Sequence, residues 1–193
     1  AIETKCINNL TEYSKDAVEV LLTGNKPLDK WFAASILIKL KEHIESIRKI
    51  IFDEDEDNIL RHNIVIALES WVSDDISDLL AEISLNTNMN EDIRIESIEI
   101  LQRLGATRTL KELKSLINND KNLSIDKIKR IKCATFKAIG YIGGNKELAY
   151  LSQYLEKEYE PISRSGLIEA IYVASDGCTD IKSLMNSAPT SEN

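Results

Sequence analysis

Five stretches of this 193-residue chain carry the same apolar frame, and that recurrence limits the fold more than any other feature. Counting from Arg94, the residues Ser97, Ile98, Ile100, Leu101 and Leu104 follow at offsets of three, four, six, seven and ten, with Gly105 at eleven. Lys132 starts the same frame with Thr135, Phe136, Ala138, Ile139, Ile142 and Gly143. Arg61 starts it with Ile64, Val65, Ala67, Leu68 and Trp71, and Arg164 with Leu167, Ile168, Ala170, Ile171 and Ala174. Lys30 opens a less complete copy through Ala33, Ala34, Ile36, Leu37 and Leu40. Intervals of three and four place such residues on one side of a helix. After each frame come a turn and a second amphipathic stretch, at residues 43–52, 75–85, 107–117, 146–156 and 180–185.

With only 7 Gly and 3 Pro, the chain lacks the turn residues that a β-sandwich or barrel needs, which leaves helices joined by short connections. The punctuation agrees. Gly105 and Gly143-Gly144 suit left-handed helix ends, Ser73, Asn90 and Ser124 suit helix starts, and Pro161 suits a first helical turn. Residues 3–23 read as one further helix closed by Gly24, so residues 1–24 are expected to cap an array spanning 28–187, and 188–193 to form a disordered tail. Trp31 and Trp71 fall on the apolar frame and are expected in the core. A single helix pair cannot hide its apolar stripe from water, so neighbouring pairs must stack.

Ile93-Arg94 and Ile131-Lys132 look like the Val-Arg step of the short bacterial HEAT-like repeats, and Ala138-Ile139-Gly140-Tyr141-Ile142-Gly143 resembles the end of that pattern. The chain therefore resembles the HEAT-repeat family over roughly residues 28–187, departing at Glu69 and Val72, where the family prefers glycine. The resemblance implies an all-α fold: a right-handed α-solenoid of about five stacked antiparallel helix pairs behind an N-terminal capping helix. It also implies that the second helix of each pair lines a concave face.

No nucleophile stands beside a base in sequence, and no HExxH, GxSxG, Walker or GxGxxG pattern occurs. His43 and His62 read as surface residues. Cys6, Cys133 and Cys178 match neither a disulfide framework nor a zinc site and read as reduced thiols of a cytoplasmic protein. The acidic run at Asp53-Glu54-Asp55-Glu56-Asp57 fails as a calcium loop, because Asn58 stands at the turn glycine and Ile64 at the closing Glu; a solvated connection is expected. Neither a catalytic residue, a cofactor nor a metal is expected, and the chain reads as a non-enzyme.

A formal charge of −8 disfavours general nucleic-acid binding, and no apolar run is long enough for a membrane span. Charge is unevenly placed, however. Between Arg103 and Lys137 basic residues outnumber acidic ones by ten to three, leaving an anion-binding patch open as a reading. On the second helices, removing Ile76, Leu79, Leu80 and Ile83 as core leaves Asp75, Asp78 and Glu82 on another face; removing Leu148, Leu151 and Leu155 leaves Glu147, Tyr150 and Tyr154 on a neighbouring face. With Lys111 and Lys114, the residues Asp75, Asp78, Glu82, Tyr150 and Tyr154 form the expected partner-binding set. The first expectation is a non-catalytic module that binds a protein partner with a basic surface on the concave face of the solenoid, a narrower form being an immunity or antitoxin-type inhibitor. The alternative is a HEAT-like enzyme such as an alkylpurine DNA glycosylase, using the segment from Arg103 to Lys137, or a bilin lyase.

Overall fold

The computed structural model describes residues 2–119, 125–177 and 180, and among them it is helical with no strand. In chain order the helices are α1 (Ile2–Thr23), α2 (Pro27–Leu40), α3 (Ile44–Phe52), α4 (Asn58–Leu68), α5 (Asp74–Leu85), α6 (Glu91–Leu104), α7 (Leu110–Asn119), α8 (Ile125–Gly143), α9 (Leu148–Ser152) and α10 (Pro161–Ala174). Tight turns of 3-10 helix, Thr107–Thr109 and Gly144–Glu147, lead into α7 and α9.

Helix starts follow from local chemistry. The Asp57 carboxylate accepts from the Leu60 amide at 2.8 Å, the Asn90 side chain from the Asp92 amide at 2.8 Å, and the Glu160 carboxylate from the Ser163 amide at 2.8 Å. Ser73 Oγ takes the Ile76 amide at 3.3 Å. Each satisfies a donor that the first helical turn leaves open. Ser124 lies outside the described residues. Gly105 ends α6 at φ +61°, as the sequence predicts. At the end of α8 only Gly144, at φ +54°, is left-handed; Gly143 keeps a right-handed conformation at φ −91°, so the expectation for the pair holds for one glycine.

The chain divides into two compact units, residues 1–79 and 80–193, with the division inside α5. In the first unit α2 lies between α1 and α4, and α3 packs against all three. Leu21, Leu37, Ile47, Ile51, Ile64 and Leu68 are fully buried there. Trp71 is buried as expected, but Trp31 is only half-buried, because α2 turns that side toward a shallow surface groove with Ser35 and Ile66. In the second unit α8 lies between α6 and α10, with α7 against α8. Contact between α8 and α10 is close enough to require glycine: a Cβ on Gly140 would stand 2.6 Å from the Ala170 carbonyl oxygen, and one on Gly166 would stand 2.6 Å from that of Cys133. Within each unit, then, the helices that carry the repeated frame pack side by side.

The second stretch at 146–156 forms less helix than its periodicity predicts. It is a 3-10 turn followed by the five residues of α9, and the chain then continues in turns to Lys157. With the helical register interrupted, Leu151 is buried while Leu148 and Leu155 are half-buried. Most of the stretch at 180–185, and the tail at 188–193, lie outside the described residues. Ile76, Leu79, Leu80 and Ile83 are buried as predicted.

The cation that opens each frame has an internal partner. Arg61 donates through Nε to the Ile51 carbonyl at 2.8 Å, and Arg94 through Nε to the Ser84 carbonyl at 2.8 Å, each reaching ten residues back to the last turn of the preceding helix. Arg164 donates to the carbonyls of Leu155 and Glu158. The two lysines instead reach 26 residues forward: Lys30 Nζ is 2.6 Å from Glu56 Oε1, and Lys132 Nζ is 2.9 Å from Glu158 Oε2. Glu56 is therefore turned inward from an acidic run that the sequence presents as a fully solvated connection; its neighbours Asp53, Glu54, Asp55 and Asp57 are exposed.

Candidate functional site

Net negative charge is concentrated in one unit. Residues 1–79 hold 16 acidic against 9 basic residues, whereas 80–193 hold 16 against 15. Seven of the eight net negative charges thus belong to the first unit. Asp53, Glu54, Asp55, Asp74, Asp75 and Asp78 are all exposed on it. Of the predicted stripe on α5, Asp75 and Asp78 are exposed while Glu82 is half-buried, and both Asp78 and Glu82 keep an intramolecular contact.

Lys114 and the face of Tyr150 and Tyr154, predicted as separate features, meet in one cluster in the second unit. Lys114 Nζ lies 2.6 Å from Glu147 Oε2 and 4.9 Å from the centre of the Tyr150 ring. The Tyr150 hydroxyl donates to the Lys114 carbonyl at 3.4 Å and lies 3.2 Å from the Tyr154 hydroxyl. Tyr154 sets its ring edge-on to Phe136, with centroids 5.5 Å apart. Burial, and after it the bond to Tyr154, push the Tyr150 hydroxyl well above the ordinary range, so it stays neutral at physiological pH. The cluster joins α7, α8 and the short α9. Lys111 stays exposed and outside it.

The basic segment between Arg103 and Lys137 is largely occupied by carboxylates of its own unit. Arg103 meets Glu96 at 2.8 Å, Lys137 meets Glu169 at 2.8 Å, and Arg130 bridges Glu91 and Asp92 at 2.9 Å each. The hydrogen bond to Asp92 holds the Arg130 guanidinium more firmly protonated, and that to Glu169 does the same for the Lys137 ammonium. Lys132 and Lys114 are paired as described above. The side chains of Lys121 and Lys127 lie outside the described residues. Each of these pairs lowers the net positive charge that the segment presents to an anion.

Among the described residues no three His, Cys, Asp or Glu side chains are grouped to hold a metal ion. His43 is exposed, with Nε2 3.9 Å from Glu42, and His62 is half-buried. Cys133 is half-buried where α8 meets Gly166; burial raises its thiol pKa more than Lys137 lowers it, which makes the sulfur a poor nucleophile. No helix among the described residues is long and apolar enough to cross a membrane.

Two features escape sequence reasoning. The carboxylates that hold the basic segment, Glu147, Glu158 and Glu169, lie 26 to 33 residues from their cations, beyond any local pattern. The exposed apolar side of α1 and α2 is the other; the spacing of Tyr13, Ala17 and Val20 was available as a signal. The sequence matches no protein-family model, and no curated protein is significantly similar to it.

Proposed function

We propose that this chain is a HEAT-like α-solenoid of about five helix pairs that binds a protein partner with a basic surface and does no chemistry of its own. The carrying observation is electrostatic: Arg103, Lys114, Arg130, Lys132 and Lys137 of the basic segment are paired internally, while Asp53, Glu54, Asp55, Asp74, Asp75 and Asp78 in 1–79 are exposed. A partner attracted to this chain is therefore a cationic one, and opposite charge speeds such an encounter. The narrower form of the reading is an inhibitor of the immunity or antitoxin type that covers a basic domain. Support for the repeat architecture comes from the five frame-opening cations, each with an internal partner, and from the side-by-side packing of frame helices within each unit.

Affinity capture from cell lysate on the immobilised full chain, with and without nuclease, tests the reading. The expected result is a nuclease-resistant basic protein retained in stoichiometric amount, released by salt and weakened by Asp75→Lys with Asp78→Lys. Capture that disappears on nuclease treatment, together with duplex DNA binding at low salt, would overturn it in favour of the nucleic-acid reading.

A further inference from the structure

Helix α2 carries apolar residues on more than one face, Phe32 and Ile36 as well as Ala33, Ala34, Leu37 and Ile38. Its inner face does pack, through Ala33, Ala34, Leu37 and Ile38. Its outer face does not: Phe32 is 57% exposed and Ile36 43%. Across from them α1 presents Tyr13, 64% exposed, and Val20, 40% exposed. Together these side chains line a groove of about 510 Å³ between the two helices. Small residues, Ala17 and Ala33, let a third backbone come close at its floor. Among the described residues Asp16 and Asp29 are the charged ones of its lining, and no basic one takes part.

We infer that the α1/α2 groove is the docking site for one amphipathic helix of the partner, with apolar anchors at i, i+3, i+4 and i+7 and Lys or Arg beside them to meet Asp16 and Asp29. This deepens the proposed function and rests on it. Both walls carry their groove residues at helical spacing, Tyr13-Asp16-Ala17-Val20 on α1 and Asp29-Phe32-Ile36-Leu40 on α2. Such walls receive a helix as ridges into a groove. From Asp29 to Leu40 the wall runs about 16 Å, room for three helical turns. Charge selects the occupant: the rim is acidic and its unit carries net −7, so a cationic helix is favoured. A second copy of this chain would instead bring another acidic groove against this one.

The test uses a fluorescein-labelled 14-residue peptide of Leu and Lys, patterned i, i+3, i+4, i+7 and i+11, and a matched peptide with Glu for Lys. Anisotropy titration with the full chain is expected to give a Kd on the order of 10 μM for the Leu/Lys peptide, as suits a small interface, and binding about tenfold weaker or worse for the Leu/Glu peptide. Phe32→Lys with Ile36→Lys should weaken the Leu/Lys peptide by about tenfold or more, and Asp16→Asn with Asp29→Asn by about fivefold, with a flatter salt dependence. The second pair keeps the apolar walls, so it reads the rim even if the first disturbs folding. Ile162→Lys on α10, a comparably exposed apolar site, should change nothing. Undiminished binding by the Phe32/Ile36 variant, equal binding of both peptides, or a dimer that the Phe32/Ile36 variant abolishes would each overturn the assignment. If the peptide ignores the groove while nuclease-resistant capture persists, only this site falls. If the peptide binds the groove but capture depends on nucleic acid, only the proposed function falls.

Discussion

The Nε–H of Arg94 on α6 donates to the carbonyl oxygen of Ser84 in the last turn of α5 across 2.8 Å, and Arg94 is 1% exposed. The last carbonyls of a helix have no partner within it and carry the negative end of its dipole. A guanidinium placed there satisfies an acceptor and opposes that partial charge. Arg61 does the same for Ile51 at the end of α3. At Arg61 and Arg94 the cation that starts the apolar frame thus closes the helix before it.

Replacing Arg94 removes a charge-assisted bond and leaves the Ser84 carbonyl buried without that donor. Arg94→Ala is expected to cost about 2–4 kcal/mol, and Arg94→Lys to recover less than half of it, since an ammonium cannot reproduce the planar fork. The exposed Arg103→Ala should stay within about 0.5 kcal/mol. Urea midpoints followed by far-UV circular dichroism check the ranking; equal losses for Arg94→Ala and Arg103→Ala would refute it.

At the crossing of α8 and α10, added volume meets backbone first: a Cβ on Gly166 would stand 2.6 Å from the Cys133 carbonyl oxygen and 2.8 Å from its Sγ. Gly166→Ala is expected to destabilise by about 1–3 kcal/mol and Gly166→Val by more, even though alanine is the better helix former. Gly105→Ala would also destabilise, but through its positive φ and not through crowding, because nothing lies near a Cβ there. Cys133→Ala, which removes the Sγ but leaves the carbonyl oxygen in place, should therefore soften Gly166→Ala only in part and leave Gly105→Ala unaltered in a double-mutant comparison.

Lys132 and Glu158 form the more buried of the two long-reach lysine pairs from the carboxylate side, and the Ser163 hydroxyl also donates to Glu158 at 2.7 Å. Lys132→Met strands that carboxylate, with an expected loss of about 2–4 kcal/mol, whereas Lys132→Met with Glu158→Gln should lose less than the two single changes together. A coupling energy of zero across the cycle would show that the pair is not an interaction unit.

Alkaline pH should destabilise the second unit through groups whose folded pKa values are raised. Tyr150 is raised by burial and by Tyr154, Cys133 by burial, and Lys137 by its bond to Glu169, above ordinary values of 10.0, 9.0 and 10.5. A raised folded value means that the native chain keeps its proton after the unfolded chain has lost it. Stability from these groups is whole below the unfolded values and falls as pH climbs toward the folded ones. Tyr150→Phe, which cannot ionise, should flatten the decline in urea midpoint between about pH 9.5 and 11 while changing neutral stability little. An unchanged slope would mean that Tyr150 titrates like an exposed tyrosine.

Sequence by itself determined the helical class, the five frames, most core positions on them, and helix ends such as Asn90 and Gly105, because periodicity and capping are local and act within a few residues. It also placed charge along the chain. Only tertiary structure decided where that charge is neutralised: Lys132 finds Glu158, Lys114 finds Glu147 and Lys137 finds Glu169 through helix packing, at separations where no pattern in the chain announces a pair. Packing also left Trp31 half-exposed, turned Glu56 inward and shortened the helix after Gly144, outcomes that depend on which neighbours arrive. The apolar side of α2 shows the same division. Its residues were legible one by one, but whether Phe32 and Ile36 meet protein or water is settled by what lies across from them, and here that is a groove.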